Sequence, residues 1–136
     1  MIVMRATRSA ERRAARVEYL MPRGSSAARW ARRLTRSFLA GRSDEAAADA
    51  ELVVSELVTN AARVSEHRCR MSLRMDAGEL IVEVRDDGPG LPQLKPASPT
   101  AESGRGIALV HALAQRWSVL PDRRGGKTVR AVFAPS

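Results

Sequence analysis

A glutamate and an asparagine, Glu56 and Asn60, lie four positions apart in a segment whose apolar residues recur every three or four positions. This spacing predicts a core-facing helix that runs to about Val64, and residues four apart on a helix share one face. Hard cations take oxygen ligands, so the carboxylate and the amide together suit a site for magnesium with water or a hydroxyl group. The alternative is a solvent-facing polar pair, which is common on helices.

A second candidate is Asp86, the first residue of an Asp-Asp-Gly-Pro-Gly segment that follows a predicted strand. Its carboxylate can accept a hydrogen bond from an exocyclic amine. Gly88 and Gly90 would let a flat ring approach the backbone closely, because glycine has no side chain. The alternative is an ordinary strand-ending turn, which is also rich in Asp, Gly and Pro.

A third candidate is the segment Ser103-Gly104-Arg105-Gly106, which precedes apolar residues at helical spacing. A glycine-rich turn into a helix N-terminus presents N–H groups to a phosphate, and the helix dipole favours the negative charge. The segment lacks the spacing of a P-loop and the third glycine and following acid of a dinucleotide-binding fold. Alone it is a weak indication of phosphate binding.

The three candidates occur in the order and spacing of one known set of motifs. They resemble the N, G1 and G2 boxes of the GHKL ATPases, which bind ATP in the Bergerat fold. In this chain the boxes are Glu56…Asn60, Asp86…Gly90 and Gly104…Leu109. Segment 51–61 looks like the branch of small anti-sigma-factor serine/threonine kinases that is abundant in actinobacteria. Segment 126–129, Gly-Lys-Thr-Val, resembles the last box of that family, so the resemblance covers residues 17–134.

The resemblance implies a role for each motif residue, with ATP and Mg²⁺ as the cofactors. Glu56 would be the catalytic base, or polariser, for the attacking hydroxyl, and Asn60 would coordinate the Mg²⁺ that bridges the ATP phosphates. Asp86 would bond the adenine amino group, and residues 91–103 would form a lid over ATP. The other nucleotide-binding residues that the resemblance implies are Arg63, Gly88, Gly90, Gly104, Arg105, Gly106, Ile107 and Thr128.

The resemblance also implies a function and partners. An ATP-dependent serine/threonine kinase of this type phosphorylates a small antagonist, an anti-anti-sigma-type protein, and binds a sigma factor in the alternative state, which controls transcription. Kinases of this type often dimerise, so a homodimer stays open. A second hypothesis is a non-catalytic module whose lid orders on nucleotide binding and presents a partner surface. A third is a nucleic-acid binder that uses Arg29, Arg32, Arg33 and Arg36, but no nucleic-acid motif accompanies these arginines.

Hydrophobic periodicity predicts the elements that position these residues. The order is a strand at 17–21, two helices, a hairpin of two strands, the lid, a third helix and two closing strands. Ser25 or Ser26 would cap the first helix, which has Trp30 in its apolar stripe, and Gly41 would end it. The predicted class is α+β: a two-layer sandwich with helices on one face of a mixed, mostly antiparallel sheet. By resemblance this is the Bergerat, or histidine-kinase-like ATPase, fold.

Composition limits the class of protein. A chain of 136 residues suits one domain, which we place at 17–136, and the arginine-rich residues 1–16 predict a flexible basic tail. No apolar run is long enough for a membrane helix or a secretory signal, so we expect a cytoplasmic protein without membrane contact. The net charge of +8 indicates a solvated basic surface. Cys69 is the only cysteine, and its alternation with Met71 and Leu73 predicts a buried structural thiol.

Overall fold

The computed structural model describes residues 4–8, 14–40, 45–64, 68–88 and 102–134. These residues form six strands and three helices. The strands are β1 (Met4–Arg8), β2 (Ala14–Leu20), β3 (Arg70–Asp76), β4 (Glu79–Asp86), β5 (Arg116–Pro121) and β6 (Lys127–Phe133). The helices are α1 (Ala27–Phe38), α2 (Glu45–Val64) and α3 (Glu102–Leu113). One sheet has the order β1-β2-β3-β4-β6-β5, and every pair of neighbouring strands is antiparallel.

The core lies between the sheet and the helices. Alternate strand residues face it, and the register brings Leu73, Val82 and Ala131 into one fully buried row across β3, β4 and β6. Helix α2 packs against both other helices and against β4 and β6, while α1 contacts β3 and α3 contacts β5. The predicted two-layer α+β sandwich is therefore confirmed, with an antiparallel rather than mixed sheet in the described strands.

The opposite face of the sheet carries charged side chains that pair across strands. Arginines alternate along β3, and this sequence pattern predicts an ion pair between one of them and Glu83 across the hairpin. The register instead places Ser72 opposite Glu83, and the Glu83 carboxylate binds Arg130 of β6, whose Nε lies 2.7 Å from Oε2. The prediction of a cross-strand ion pair was right, but its partner was wrong, because the strand on the other side supplies the arginine.

Two local predictions for the first helix need correction. Ser26 is the N-cap residue of α1, as predicted, but its side chain makes no capping hydrogen bond, because its backbone is already helical (φ −78°, ψ −12°). A turn before the helix instead gives the Ala27 N–H the carbonyl of Gly24 at 3.2 Å. The helix closes at Leu39, which serves as C-cap, while Gly41 lies outside the described residues.

Residues 1–16, which the sequence predicted as a flexible basic tail, include residues that the structure describes as strand. Met4–Arg8 is strand β1, and it pairs with β2 from Met4 opposite Tyr19 to Arg8 opposite Ala15. Strand β2 begins at Ala14 rather than at Val17. Charge and low apolar content indicated disorder, but both are also ordinary features of an edge strand, which needs only one hydrogen-bonded neighbour.

Within the described ranges, no helix combines the length and the apolar character needed to cross a lipid bilayer.

Candidate functional site

Helix α2 and strand β4 run side by side, and this brings Asn60 to the level of Asp86. The start of α2 and the start of β4 lie together, because Ala46 and Leu80 line the same surface cavity. Six residues of strand separate Leu80 from Asp86, a rise of about 20 Å. Fourteen residues of helix separate Ala46 from Asn60, a rise of about 21 Å. The first two motifs are therefore located at one end of the molecule, and the cavity is at the other.

Glu56 and Asn60 lie on the flank of α2 that faces away from α1. The opposite flank is marked by Glu51, whose Oε1 receives a hydrogen bond from Arg36 of α1 at 2.8 Å. Asn60 follows Glu51 by nine residues, about two and a half helical turns, and so points the other way. Because α1 lies over β3 and α3 reaches β5 on the far side of β4 and β6, this second flank faces α3.

The Glu56 and Asn60 side chains are half-buried. Neither makes a hydrogen bond or an ion pair with any residue in the described part of the chain. Their neighbours are satisfied locally: Ser55 donates to the carbonyl of Leu52 at 2.9 Å, and Thr59 donates to that of Ser55 at 2.6 Å. A half-buried carboxylate and amide without a partner are the groups of this helix that a ligand can use.

Helix α3 directs its N-terminus to the same end of the molecule. Its C-terminal end is held where the Gln115 N–H donates to the carbonyl of Val132 at 2.8 Å, and Val132 lies opposite Ile81, near the start of β4. From its last residue, Leu113, back to Glu102, the helix spans about 17 Å. This matches the distance along β6 from Val132 to Lys127, which pairs with Asp86. A helix of this length that runs along β6 would place the third motif at the level of the other two.

The helix begins earlier than the sequence predicted. Glu102 and Ser103, assigned to the lid, are its first residues, so the backbone of Gly104, Arg105, Gly106 and Ile107 lies inside α3 and not in a turn before it. The rest of the predicted lid and Gly90 lie outside the described residues. Arg63 is in the last turn of α2 and is exposed.

Asp86 ends β4 and is 6% exposed. Its Oδ1 accepts two hydrogen bonds, one from the N–H of Gly88 at 2.9 Å and one from the Nζ of Lys127 at 3.0 Å. The first bond closes a tight turn after the strand, and Gly88 in this turn is itself buried. The second is a buried ion pair, since Lys127 is also 6% exposed.

Sequence reasoning missed Lys127 and assigned its neighbour Thr128 to the site. In the structure, Lys127 is opposite Asp86, and Thr128 is opposite Arg85. Successive strand residues point to opposite faces, so the Thr128 side chain is on the other face of the sheet from Asp86. The signal was present in the sequence: Val129, Ala131 and Phe133 point inward, so Lys127 must too, and a buried ammonium needs an anion beside it.

Cys69 is buried, as predicted, and lies close enough to Asp86 to sense its charge. Burial and, to a smaller extent, the Asp86 carboxylate together raise the pKa of the thiol to about 11. At neutral pH the group is therefore a neutral thiol, which suits the structural role and excludes a reactive thiolate.

The donor set fits a metal only together with a substrate. In the described ranges, no three acidic, histidine or cysteine side chains gather closely enough to hold a metal ion by themselves. Mg²⁺ is commonly bound by one or two protein oxygens plus substrate phosphates, and Asn60 offers one such oxygen. The candidate site thus combines an acid and an amide on α2, the N-terminus of α3, and a buried aspartate at the glycine turn that follows β4.

The comparisons with known proteins agree with this arrangement. A search of the curated proteins found no match to this chain. Among protein families, the model of the histidine kinase-like ATPase domain matches residues 21–133, which includes α2, the end of β4, α3 and β6. The chain therefore belongs to the histidine kinase-like ATPase domain family, the ATP-binding group to which its three motifs pointed.

Proposed function

We propose that this protein is an ATP-dependent serine/threonine kinase of the anti-sigma-factor type. Glu56 carries the proposal: its carboxylate is half-buried and without a partner among the described residues, and it is one helical turn before Asn60. A binding module without catalysis needs Asn60 for the metal but has no need of a carboxylate there. Membership of the ATPase family supports nucleotide binding, and Glu56 supports phosphoryl transfer.

In this proposal each group has a defined task. Glu56 accepts the proton of a substrate serine or threonine hydroxyl, whose oxygen bonds to the γ-phosphorus of ATP while the bond to the β–γ bridging oxygen breaks and ADP leaves. Asn60 would hold Mg²⁺ together with the phosphates, and the metal would neutralise their charge. The first turn of α3 would bind phosphate oxygens through backbone N–H groups.

The same proposal places the adenine ring at the end of β4. Asp86 would accept a hydrogen bond from the exocyclic amine, and the backbone at Gly88 would lie against the ring. The protein partners would be a small antagonist, which carries the phosphorylated hydroxyl, and a sigma factor, which is bound in the alternative state. Through this exchange the protein would regulate transcription.

Nucleotide binding is tested by calorimetry with ATP and Mg²⁺ on the full chain. We expect Asp86→Ala to weaken binding at least tenfold, because a hydrogen bond to a charged group is lost. The matched control is Asp76→Ala, since Asp76 ends the neighbouring strand at the opposite end of the ladder. Equal binding by wild type and Asp86→Ala would remove the adenine assignment.

Phosphoryl transfer is tested with γ-labelled ATP and small antagonist-type proteins from the same organism as candidate substrates. Glu56→Gln should bind MgATP normally and lose transfer by about 10²–10⁴-fold, the range of general base catalysis. Glu51→Gln, on the opposite flank of α2, is the control and should keep transfer. If wild type transfers no phosphate and Glu56→Gln preserves regulation in cells, the protein is a nucleotide-gated binding module and not a kinase; transfer that survives in Glu56→Gln would remove Glu56 as the base.

A further inference from the structure

The buried ion pair between Lys127 and Asp86 is a feature that the proposed kinase reaction does not use. Its atoms Nζ and Oδ1 are 3.0 Å apart, and both side chains are more than nine-tenths buried. Replacing a buried pair by apolar residues is often neutral or stabilising, so stability alone is a weak reason for its presence. Its position at the proposed base-binding end of β4 suggests a role toward the ligand.

The two side chains keep hydrogen-bonding capacity for a ligand. Both bonds that Asp86 accepts from described residues end on Oδ1, and the second carboxylate oxygen, Oδ2, is also a hydrogen-bond acceptor. An ammonium group has three donors, and among the described residues Lys127 donates to one acceptor, Asp86 Oδ1. The pair therefore presents one acceptor and one donor side by side, a few ångströms apart.

An acceptor on Asp86 beside a donor on Lys127 is complementary to one edge of adenine. The exocyclic 6-amino group donates and the adjacent ring nitrogen N1 accepts, so Oδ2 can take the amine while Nζ donates to N1. Hypoxanthine has the reverse order, with an oxygen at position 6 and an N1–H. Its edge would set the 6-oxygen against Oδ2 and the N1–H against Nζ, leaving both protein groups unpaired.

We propose that Lys127 is a specificity-determining residue for the purine base, which acts with Asp86 to read the 6-amino and N1 edge of adenine. The inference rests on the proposed function, because it needs the base to lie against Asp86. Lys127 thereby fills the place near adenine that the sequence had assigned to Thr128.

The test uses nucleotide analogues that each change one atom. Calorimetry or competition binding on the full chain compares ATP with 1-deaza-ATP, which lacks the N1 acceptor, and with 7-deaza-ATP as the matched control. We expect wild type to bind 1-deaza-ATP about 10- to 100-fold more weakly than ATP and to bind 7-deaza-ATP within about twofold of ATP. Inosine triphosphate should be at least as weak as 1-deaza-ATP.

The substitution Lys127→Met should abolish the preference for ATP over 1-deaza-ATP, bringing the two affinities within about twofold of each other. A purely structural lysine would weaken both nucleotides equally and keep their ratio. Lys127→Gln, which retains a donor, is the second variant should Lys127→Met fail to fold, and it should keep part of the preference. Binding of ATP with an unchanged analogue ratio in Lys127→Met would overturn this inference alone.

The outcomes for wild type separate this inference from the proposed function. Absence of ATP binding by wild type would overturn the proposed function and this inference with it. Tight ATP binding with no loss for 1-deaza-ATP would overturn the role of Lys127 and leave nucleotide binding in place. Loss with 7-deaza-ATP instead would place the ammonium at the other edge of the ring and would also contradict the proposal.

Discussion

Gly126 lies so close to Asp86 that a Cβ atom on it would overlap the Asp86 carbonyl oxygen and would lie 2.8 Å from the Cα of Asp87. Gly126 also has a φ of +85°, a conformation that residues with a side chain rarely adopt. The turn between β5 and β6 therefore holds the end of β4 at a separation that only glycine permits. The position of the Asp86 backbone, and with it the proposed base pocket, depends on this glycine.

This relationship predicts different outcomes for two neighbouring glycines. Gly125 has a similar φ of +91°, but a Cβ atom there would meet nothing within 4 Å. Gly125→Ala should therefore reduce the free energy of unfolding only by the backbone strain, about 1–2 kcal/mol. Gly126→Ala adds the overlap with Asp86 and should cost more and weaken ATP binding. Urea unfolding measures the stability of each variant, and calorimetry measures its affinity for ATP. Equal effects of the two substitutions would contradict the steric argument.

A second prediction concerns the stability of the buried ion pair. Lys127→Met leaves the Asp86 carboxylate buried without its cation, so we expect a loss of about 3–5 kcal/mol in the free energy of unfolding. Adding Asp86→Asn should then have opposite effects in the two backgrounds. It should destabilise wild type, where it isolates the ammonium, and should partly restore Lys127→Met, where it removes the unpaired charge.

Urea unfolding of the four proteins gives the coupling between the two residues. The control is the exposed pair of Arg116 with Glu79, whose Nη2 and Oε1 are 2.9 Å apart. Arg116→Met should change the urea midpoint little, because exposed ion pairs are screened by solvent. Additive effects of Lys127→Met and Asp86→Asn would show that the buried pair is not energetically coupled.

The sequence predicted the repeating parts of this fold well, because they depend on periodicity. Helix α2 was predicted to end at about Val64 and does, and the two predicted closing strands are present as β5 and β6. Periodicity does not predict how deeply each residue is buried. Trp30 fits the apolar stripe of α1, yet it is 37% exposed. It lies at the edge of the stripe, where the Arg33 guanidinium covers its ring at 5.6 Å from the centroid.

The candidate site was predicted by its motifs but not by its contacts. Spacing placed Glu56 and Asn60 on one helix face and Asp86 at a strand end, and the structure brings these first two motifs to one end of the sheet. The partner of Asp86 was missed because it comes from a strand 41 residues away. Only the register of β4 with β6 shows that Lys127, and not Thr128, faces it.

A third prediction follows from the raised pKa of Cys69. Burial and the Asp86 charge raise it from an ordinary value near 9 to about 11, so the folded state keeps a proton that the unfolded state releases. The resulting stability is complete below pH 9 and is lost as the pH rises from 9 to 11, by up to about 2–3 kcal/mol. Burial also raises the pKa of Tyr19, which acts in the same direction.

Urea unfolding at several pH values between 8 and 11 should show this decline. Cys69→Ala is the control, because it retains Tyr19 and lacks the thiol. The variant should be less stable than wild type at pH 8, owing to the lost side-chain volume, and its decline toward pH 11 should be shallower. A parallel decline in both proteins would mean that the thiol ionises equally in the folded and unfolded states.

A fourth prediction concerns Ala77 in the turn between β3 and β4. Asp76 pairs with Glu79, so Ala77 and Gly78 form a two-residue turn, with φ values of +52° and +83°. This is the type I′ geometry, in which asparagine is favoured at the first position because it tolerates positive φ. Ala77→Asn should therefore raise the free energy of unfolding by about 0.5–1 kcal/mol.

Two further substitutions at Ala77 separate backbone strain from other causes. Ala77→Gly also removes the strain, but it increases the conformational entropy of the unfolded chain, so its net effect should be close to zero. Ala77→Val should destabilise, because a β-branched side chain fits positive φ worst. Thermal or urea unfolding should give the order Asn, then Gly and Ala, then Val. If Ala77→Asn is no more stable than wild type, the left-handed conformation at Ala77 does not limit the stability of the hairpin.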